Sequence, residues 1–171
     1  MRKKSRETDA AWALEVMDRA PYMTVGMTDV DGTPYVLPLS LSRIGSHTFY
    51  FHCAPEGRKL DILRHHPQVC LTAVSKCKPT VGPKDGSFTL EYHSAIAYGH
   101  AEIVTDDAEK REALRAICKR FLPSHMVAFD AAVLRSMART AVIRITLTAP
   151  PVGKRKQYDA NGDEMKYGRT E

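Results

Sequence analysis

Phe51-His52-Cys53-Ala54-Pro55-Glu56-Gly57-Arg58-Lys59-Leu60-Asp61 carries an aromatic strand into a tight turn and out into a helix that opens with two cations. A helix N-terminus presents backbone N–H groups without intrahelical partners and a partial positive charge, so an anion is its natural occupant. Gly57 lets such a group come close to the backbone. Arg58 can grip a phosphate with two N–H groups, and Lys59 adds a point charge. Cations in a first turn oppose the helix dipole, and a local rule broken in this way often marks function. On spacing alone, two solvated cations beside Glu56 and Asp61 are an equal reading.

Outward from this turn the chain reads as strands with helices at the ends and edges. Thr8 to Ala20 predicts a helix, capped by Thr8 or Asp9, with Trp12, Ala13, Val16 and Met17 as its apolar stripe. Tyr22 to Thr28 and Thr33 to Ser42 predict two strands joined at Asp31-Gly32. Pro34 and Pro38 lack a ladder donor, which sends the second strand to an edge or gives it a bulge. The turn at Ile44-Gly45-Ser46 leads into a third strand, His47 to Cys53. A helix over Glu56 to His66 ends at Pro67, and Val69 to Val74 is the next strand. Lys76 to Gly86, with its prolines, glycines and lysines, reads as an exposed loop. Ser87 to Thr105 is a long β run with a bend or bulge at Gly99. Asp106 and Glu109 open a helix to about Phe121, and Pro123 separates it from a second helical stretch to about Met137. Ala141 to Leu147 alternates as a last strand, and from Pro150 the chain is polar and charged. About six strands at this spacing, with few helices, predict a mainly β, small antiparallel barrel.

The 171 residues suit one domain with a sizeable core, and a hydrophobic fraction of 43% is that of a globular chain. Much of the +5 net charge sits at the ends, on Arg2, Lys3, Lys4 and Arg6 and on Lys154, Arg155 and Lys156. No aromatic residues interleave with these cations as a stacking platform for nucleic acid requires, so solvated tails are the simpler reading and no nucleic-acid or membrane partner is expected. Cys53, Cys70, Cys77 and Cys118 form no CxxC pair and no zinc spacing. No secretory h-region and no bilayer-length apolar run is present, and reduced thiols then predict a cytoplasmic protein. Metal ligation is not expected. His65 and His66 are helix neighbours that diverge, and His93 and His100 fall on opposite faces of one strand unless a bulge intervenes. Cys53 beside His52 is no nucleophile–base pair, because adjacent strand residues face opposite ways.

Three segments, in order, carry a family resemblance over about residues 1–148. They are Gly32-Thr33-Pro34-Tyr35-Val36-Leu37-Pro38-Leu39, the stretch Tyr50 to Leu63 around the Glu56-Gly57-Arg58-Lys59 turn, and Tyr92-His93-Ser94 through Gly99 to Val104. The chain resembles the flavin-nucleotide-binding proteins related to pyridoxamine 5′-phosphate oxidase, and within them the 5-nitroimidazole-resistance (Nim-type) branch. The resemblance implies a split β-barrel over residues 1–148, a polar C-terminal tail over residues 149–171, and a homodimer with FMN at the subunit interface. Carried over, the backbone of Pro38, Leu39 and Ser40 would flank the flavin ring. His52, Ala54, Gly57, Arg58 and Lys59 would line the ribityl-phosphate and ring edge, and Ser94 and Tyr92 would approach the cofactor. Cys53 replaces the small residue usual before Ala54, and Pro150-Pro151-Val152-Gly153-Lys154 matches the usual "TGK" ending only loosely.

The leading expectation is an FMN-dependent oxidoreductase in which the flavin carries the redox chemistry and His52 supplies a proton. The resemblance suggests a small nitroaromatic substrate such as a 5-nitroimidazole. The alternative is a flavin- or haem-binding carrier or sensor without turnover, with His52 as the axial ligand if haem binds. A nucleic-acid-associated module using the basic ends is the third reading.

Overall fold

The computed structural model describes residues 3–168. Arg2 and residues 169–171 of the predicted tail lie outside that range. The chain forms two compact units. One comprises Thr24–Cys70 and Tyr98–Ala149; the other comprises the N-terminal segment through Met23, Leu71–Ala97 and the segment from Pro150 onward. Two long strands, β6 (Gln68–Val81) and β7 (Phe88–Ile103), contribute a part to each.

The first of these units holds antiparallel strands in the order β3-β2-β6-β7-β8-β5-β4, with only the Gln68–Cys70 part of β6 and the Tyr98–Ile103 part of β7. Its further strands are β2 (Met23–Thr28), β3 (Pro34–Leu39), β4 (Ser42–Ile44), β5 (Thr48–Cys53) and β8 (Ala141–Leu147). The proline-bearing β3 lies at the end of the order, as a strand with missing donors should. The predicted single strand from Thr33 to Ser42 instead breaks after Leu39, and Ser42–Ile44 pairs with β5 as a hairpin. Gly45, at φ 69°, closes that hairpin, while Ser40-Leu41 carries no Gly, Asn or Asp to mark the break upstream.

Side chains pack against both faces of β5 and β8, and His52 near the end of β5 is exposed. Phe49 pairs with Ile145 and Phe51 with Ile143, and all four are at most 1% exposed. Tyr50 and Val142 point to the other face, where they join Leu114, Ile117, Phe129 and Val133 in a second core cluster. That cluster is built under helix α3 (Asp107–Phe121) and helix α4 (Phe129–Ser136). As predicted, Asp106 caps α3, accepting from the Glu109 N–H at 2.7 Å. The Glu109 carboxylate is spent elsewhere: Tyr50 donates to it at 3.0 Å and Arg144 at 2.8 Å, while Arg144 also donates to Glu102 at 3.0 Å. Burial and the Glu109 hydrogen bond push the Tyr50 phenol up to about 12.

Gly99 opens the paired stretch of β7 against β8, opposite Leu147. A Cβ there would stand 2.6 Å from Ile145 Cγ2 and 2.9 Å from the Thr146 carbonyl oxygen. The second contact is backbone and cannot swing aside, so the position explains the glycine better than the expected bulge does. Replacing Gly99 by Ala should therefore cost about 1–3 kcal/mol of overpacking strain, read as a lower denaturation midpoint. An unchanged midpoint would show that the strands separate there without cost.

In the other unit, helix α1 (Ala10–Arg19) buries Ala13, Val16 and Met17, and Asp9 caps it by accepting from the Trp12 N–H at 2.8 Å. The polar segment beyond Pro150 enters the sheet. Val152–Lys156 forms β9, which pairs with β7 and with the two-residue strand β1 (Glu7–Thr8). Its cations are accommodated singly: buried Lys156 donates to Thr89, and Arg155 lies 4.5 Å over the Tyr167 ring. Long basic stems can be buried once their heads are satisfied, which is why the charge run resembled a solvated tail. The predicted loop at Lys76–Gly86 is likewise mostly strand: β6 continues to Val81, and only the tip turns, with Gly82 N–H donating to Ser87 C=O at 2.7 Å.

Candidate phosphate turn and neighbouring cavity

Helix α2 (Arg58–His65) begins at Gly57, whose φ of 122° and ψ of 161° suit only glycine, with open space where a Cβ would stand. The Leu60 and Asp61 N–H groups bond to Gly57 C=O, so the N–H groups of Arg58 and Lys59 precede the first intrahelical donor. Arg58 donates from Nε and Nη2 to Asp29 Oδ2, both at 2.9 Å, and its guanidinium lies 4.9 Å above the Tyr35 ring. The guanidinium has five N–H donors, of which two are thereby used, and the side chain that carries them is 54% exposed. Asp29 and Tyr35 thus aim Arg58. The sequence marks a turn at Asp31-Gly32, and nothing local announces that the Asp29 carboxylate reaches across 29 positions to Arg58.

Lys59 turns the other way, over the Phe51 ring at 5.2 Å and against the Cys53 thiol. Burial pushes that thiol up, and the Lys59 ammonium pulls it partly back. His52, between those two strand residues, faces the opposite side with Val142, toward α3 and α4. His52, exposed to solvent on one side, lines an apolar cavity of about 360 Å³ with residues of both helices and of the turn that joins them. Desolvation there, with the nearby Lys59 charge, lowers the His52 imidazole below its ordinary value. Strand alternation puts His52 on the opposite side of β5 from Phe51 and Cys53, which Lys59 covers, yet the Lys59 charge is still felt at the imidazole.

Ala54 is exposed in the turn between β5 and α2. Pro38 and Leu39 end the edge strand β3 and Ser40 follows it; Pro38 and Ser40 are exposed and Leu39 is half-buried. The outer backbone groups of an edge strand lie outside the ladder, which leaves them available to a ligand. Tyr92 and Ser94 belong to the other unit, on β7 opposite Lys156 and Lys154. The Tyr92 hydroxyl is hydrogen-bonded to Arg6, whose guanidinium also forms a bidentate pair with Glu164 at 2.6 and 2.7 Å.

A flavin nucleotide offers a phosphate to α2, and the present residues fit one: free N–H donors on Arg58 and on the first turn, with no Cβ over Gly57. Among the described residues no group of three or more His, Cys, Asp or Glu could hold a metal ion, and no helix is long and apolar enough to cross a membrane.

The family model described as pyridoxamine 5′-phosphate oxidase matches residues 9–152. Among solved structures, one protein from Bacteroides thetaiotaomicron named for 5-nitroimidazole antibiotic resistance is 26% identical, with a TM-score of 0.71 over 85% of this chain and 83% of that one. The flavocytochrome Anf3 of Azotobacter vinelandii shares the fold at TM-score 0.78 and 22% identity, over 100% of this chain and 83% of that one. A FAD- and haem-binding protein of Mycobacterium smegmatis does so at TM-score 0.77 and 21% identity, over 96% and 84%. Comparison with curated proteins found no match. The fold is the split β-barrel expected from the sequence.

Proposed function

Because the chain belongs to the pyridoxamine 5′-phosphate oxidase family, we propose that it binds FMN through the first turn of α2 and acts as a flavin-dependent oxidoreductase on small nitroaromatic compounds. The observation that carries the cofactor assignment is Arg58, fixed by Asp29 and Tyr35 and more than half exposed beside the helix N-terminus at Gly57. Gly57 and Arg58 hold the phosphate, Lys59 adds its charge on swinging from its place over the Phe51 ring, Ala54 keeps the turn small, and the backbone of Pro38 to Ser40 supports the flavin ring. The family resemblance adds Tyr92 and Ser94 to the cofactor's surroundings. A bound flavin, reduced by a two-electron donor of the reduced-nicotinamide class, would supply the two electrons that, with two protons, convert a nitro group to nitroso and water. His52 holds one of those protons.

The resemblance to a 26%-identical protein named for nitroimidazole resistance supports the substrate class. Likeness to haem-containing neighbours supports a second reading as a flavin or haem carrier without turnover, with His52 as the candidate axial ligand. The protein acts in the cytoplasm as a homodimer. An apolar groove of about 460 Å³ supports the dimer: Val36 and Tyr98, more than half exposed, flank it, and Met27 and Val69 line it. The purified protein incubated with FMN should show a flavin spectrum, bleach on adding a nicotinamide donor and recover on adding a nitroaromatic acceptor in the absence of oxygen, and sediment at twice the chain mass. A Soret band instead would favour the haem carrier, and tight FMN binding by a clean monomer would remove the shared site.

A further inference from the structure

The cavity beneath α3 and α4 has a chemistry of its own. Leu114, Phe129 and Val133 form its floor and are at most 7% exposed, so the floor is part of the core and the cavity is preformed. Leu122 and Ala132 stand at its open side, both exposed. The hydroxyls that reach it are committed: Ser136 donates to the Ala132 carbonyl at 3.0 Å and Thr140 to the Ser136 carbonyl at 2.9 Å. Among the described residues no carboxylate, ammonium or guanidinium lines it. The Arg115 guanidinium of α3 is turned away, lying 4.3 Å over the Phe129 ring and paired to Asp130 at 2.9 Å. The side-chain nitrogens in the wall are those of His52 and His125, and the His125 ring is already engaged with Ser124 at 3.1 Å.

We infer that this cavity is a binding site for a small, uncharged aromatic molecule of one or two rings, with His52 as its polar contact. The volume of about 360 Å³ lies at the small end of ligand pockets, which suits one or two rings and excludes a dinucleotide. A carboxylate would lose most of its hydration and find no cation held in the lining, only an imidazole N–H, so the lining disfavours charge. An apolar ring would regain the dispersion contacts that the void forfeits on its floor. As a binding site the cavity stands without a flavin; as the pocket that presents a substrate to His52 it rests on the function proposed above.

Indole and benzoate, similar in size but one neutral and one anionic, test the inference. Each is titrated by calorimetry into the full-length protein, flavin-free and FMN-loaded. Indole should bind, and benzoate at least tenfold more weakly. Ala132→Phe, which fills the opening from an exposed helix position, and Leu122→Arg, which places a charge there, should each weaken indole at least tenfold at an unchanged melting temperature. Absence of indole binding, equal affinity for benzoate, or unaltered indole affinity in either folded variant overturns the site. If neither variant folds, shifts of the His52 ring resonances on indole addition decide: present they support it, absent they overturn it. Indole binding by a protein that takes up no FMN supports the cavity and defeats the flavin reading. FMN uptake without indole binding overturns the cavity alone.

Discussion

Replacing Arg58 and Lys59 together by Ala is expected to weaken FMN by roughly 10²–10³-fold and riboflavin by no more than a few-fold, since a hydrogen bond to a charged group is worth about 1.5–3 kcal/mol. The asymmetry follows from where the charges sit: the phosphate is the only charged part by which the two ligands differ. Arg58 carries a second role that must be separated from the first, since its Nε and Nη2 both bond to Asp29, whose side chain is only 19% exposed. Asp29→Asn is the control. It leaves Gly57 and the first turn in place while freeing Arg58 N–H groups, so FMN affinity should hold or rise if the guanidinium meets the phosphate. A loss in the Asp29→Asn variant as large as that in the double variant would mean that the ion pair only anchors the β2–β3 turn. Equal losses for FMN and riboflavin in the double variant would reject the phosphate assignment. Calorimetry on apoprotein measures each of these affinities.

His52→Ala is expected to slow nitro reduction by about 10²-fold, the usual consequence of losing a positioned general acid. The enzyme should be reduced before mixing with the substrate, so that donor choice and flavin loading do not enter the rate. The direction of the His52 shift adds a second signature. Burial first, and the Lys59 charge second, lower its imidazole below the ordinary 6.5. The group is therefore largely neutral at pH 7, and its acid form gains population only as pH falls below that value. The wild-type rate should rise toward acid, and His52→Ala should flatten that rise while leaving melting temperature and flavin occupancy unchanged. A variant with the wild-type rate and the wild-type pH profile at equal occupancy would make His52 structural, with the proton drawn from water or another group.

What was legible in the sequence is what lies within a few residues of its cause. Proline in β3 predicted an edge strand, Asp106 predicted the cap of α3, and Gly57 before two cations predicted an exposed helix start. Each rests on local geometry: a missing N–H, an oxygen three residues from an orphan donor, a φ only glycine reaches. The same locality misread the polar segments. Lys154-Arg155-Lys156 and the Lys76–Val81 stretch looked solvated, because strand pairing by backbone hydrogen bonds leaves no trace in side-chain polarity.

The arrangement of the site was decided at long range. Asp29 meets Arg58 because a hairpin turn and a helix start are brought together by strands far apart in the chain, and no spacing rule encodes that. His52 was visible as a candidate, but its surroundings were not. Strand alternation could say that it opposes Phe51 and Cys53. Only the packing of α3 and α4 over that face of β5 could say that the side it faces holds an apolar cavity. A sequence thus determines which groups a segment presents and to which side of its own backbone, because sterics and hydrogen bonding act over one turn or one pleat. Tertiary structure decides what stands on that side, because burial of apolar surface is non-directional and selects its partners from the whole chain.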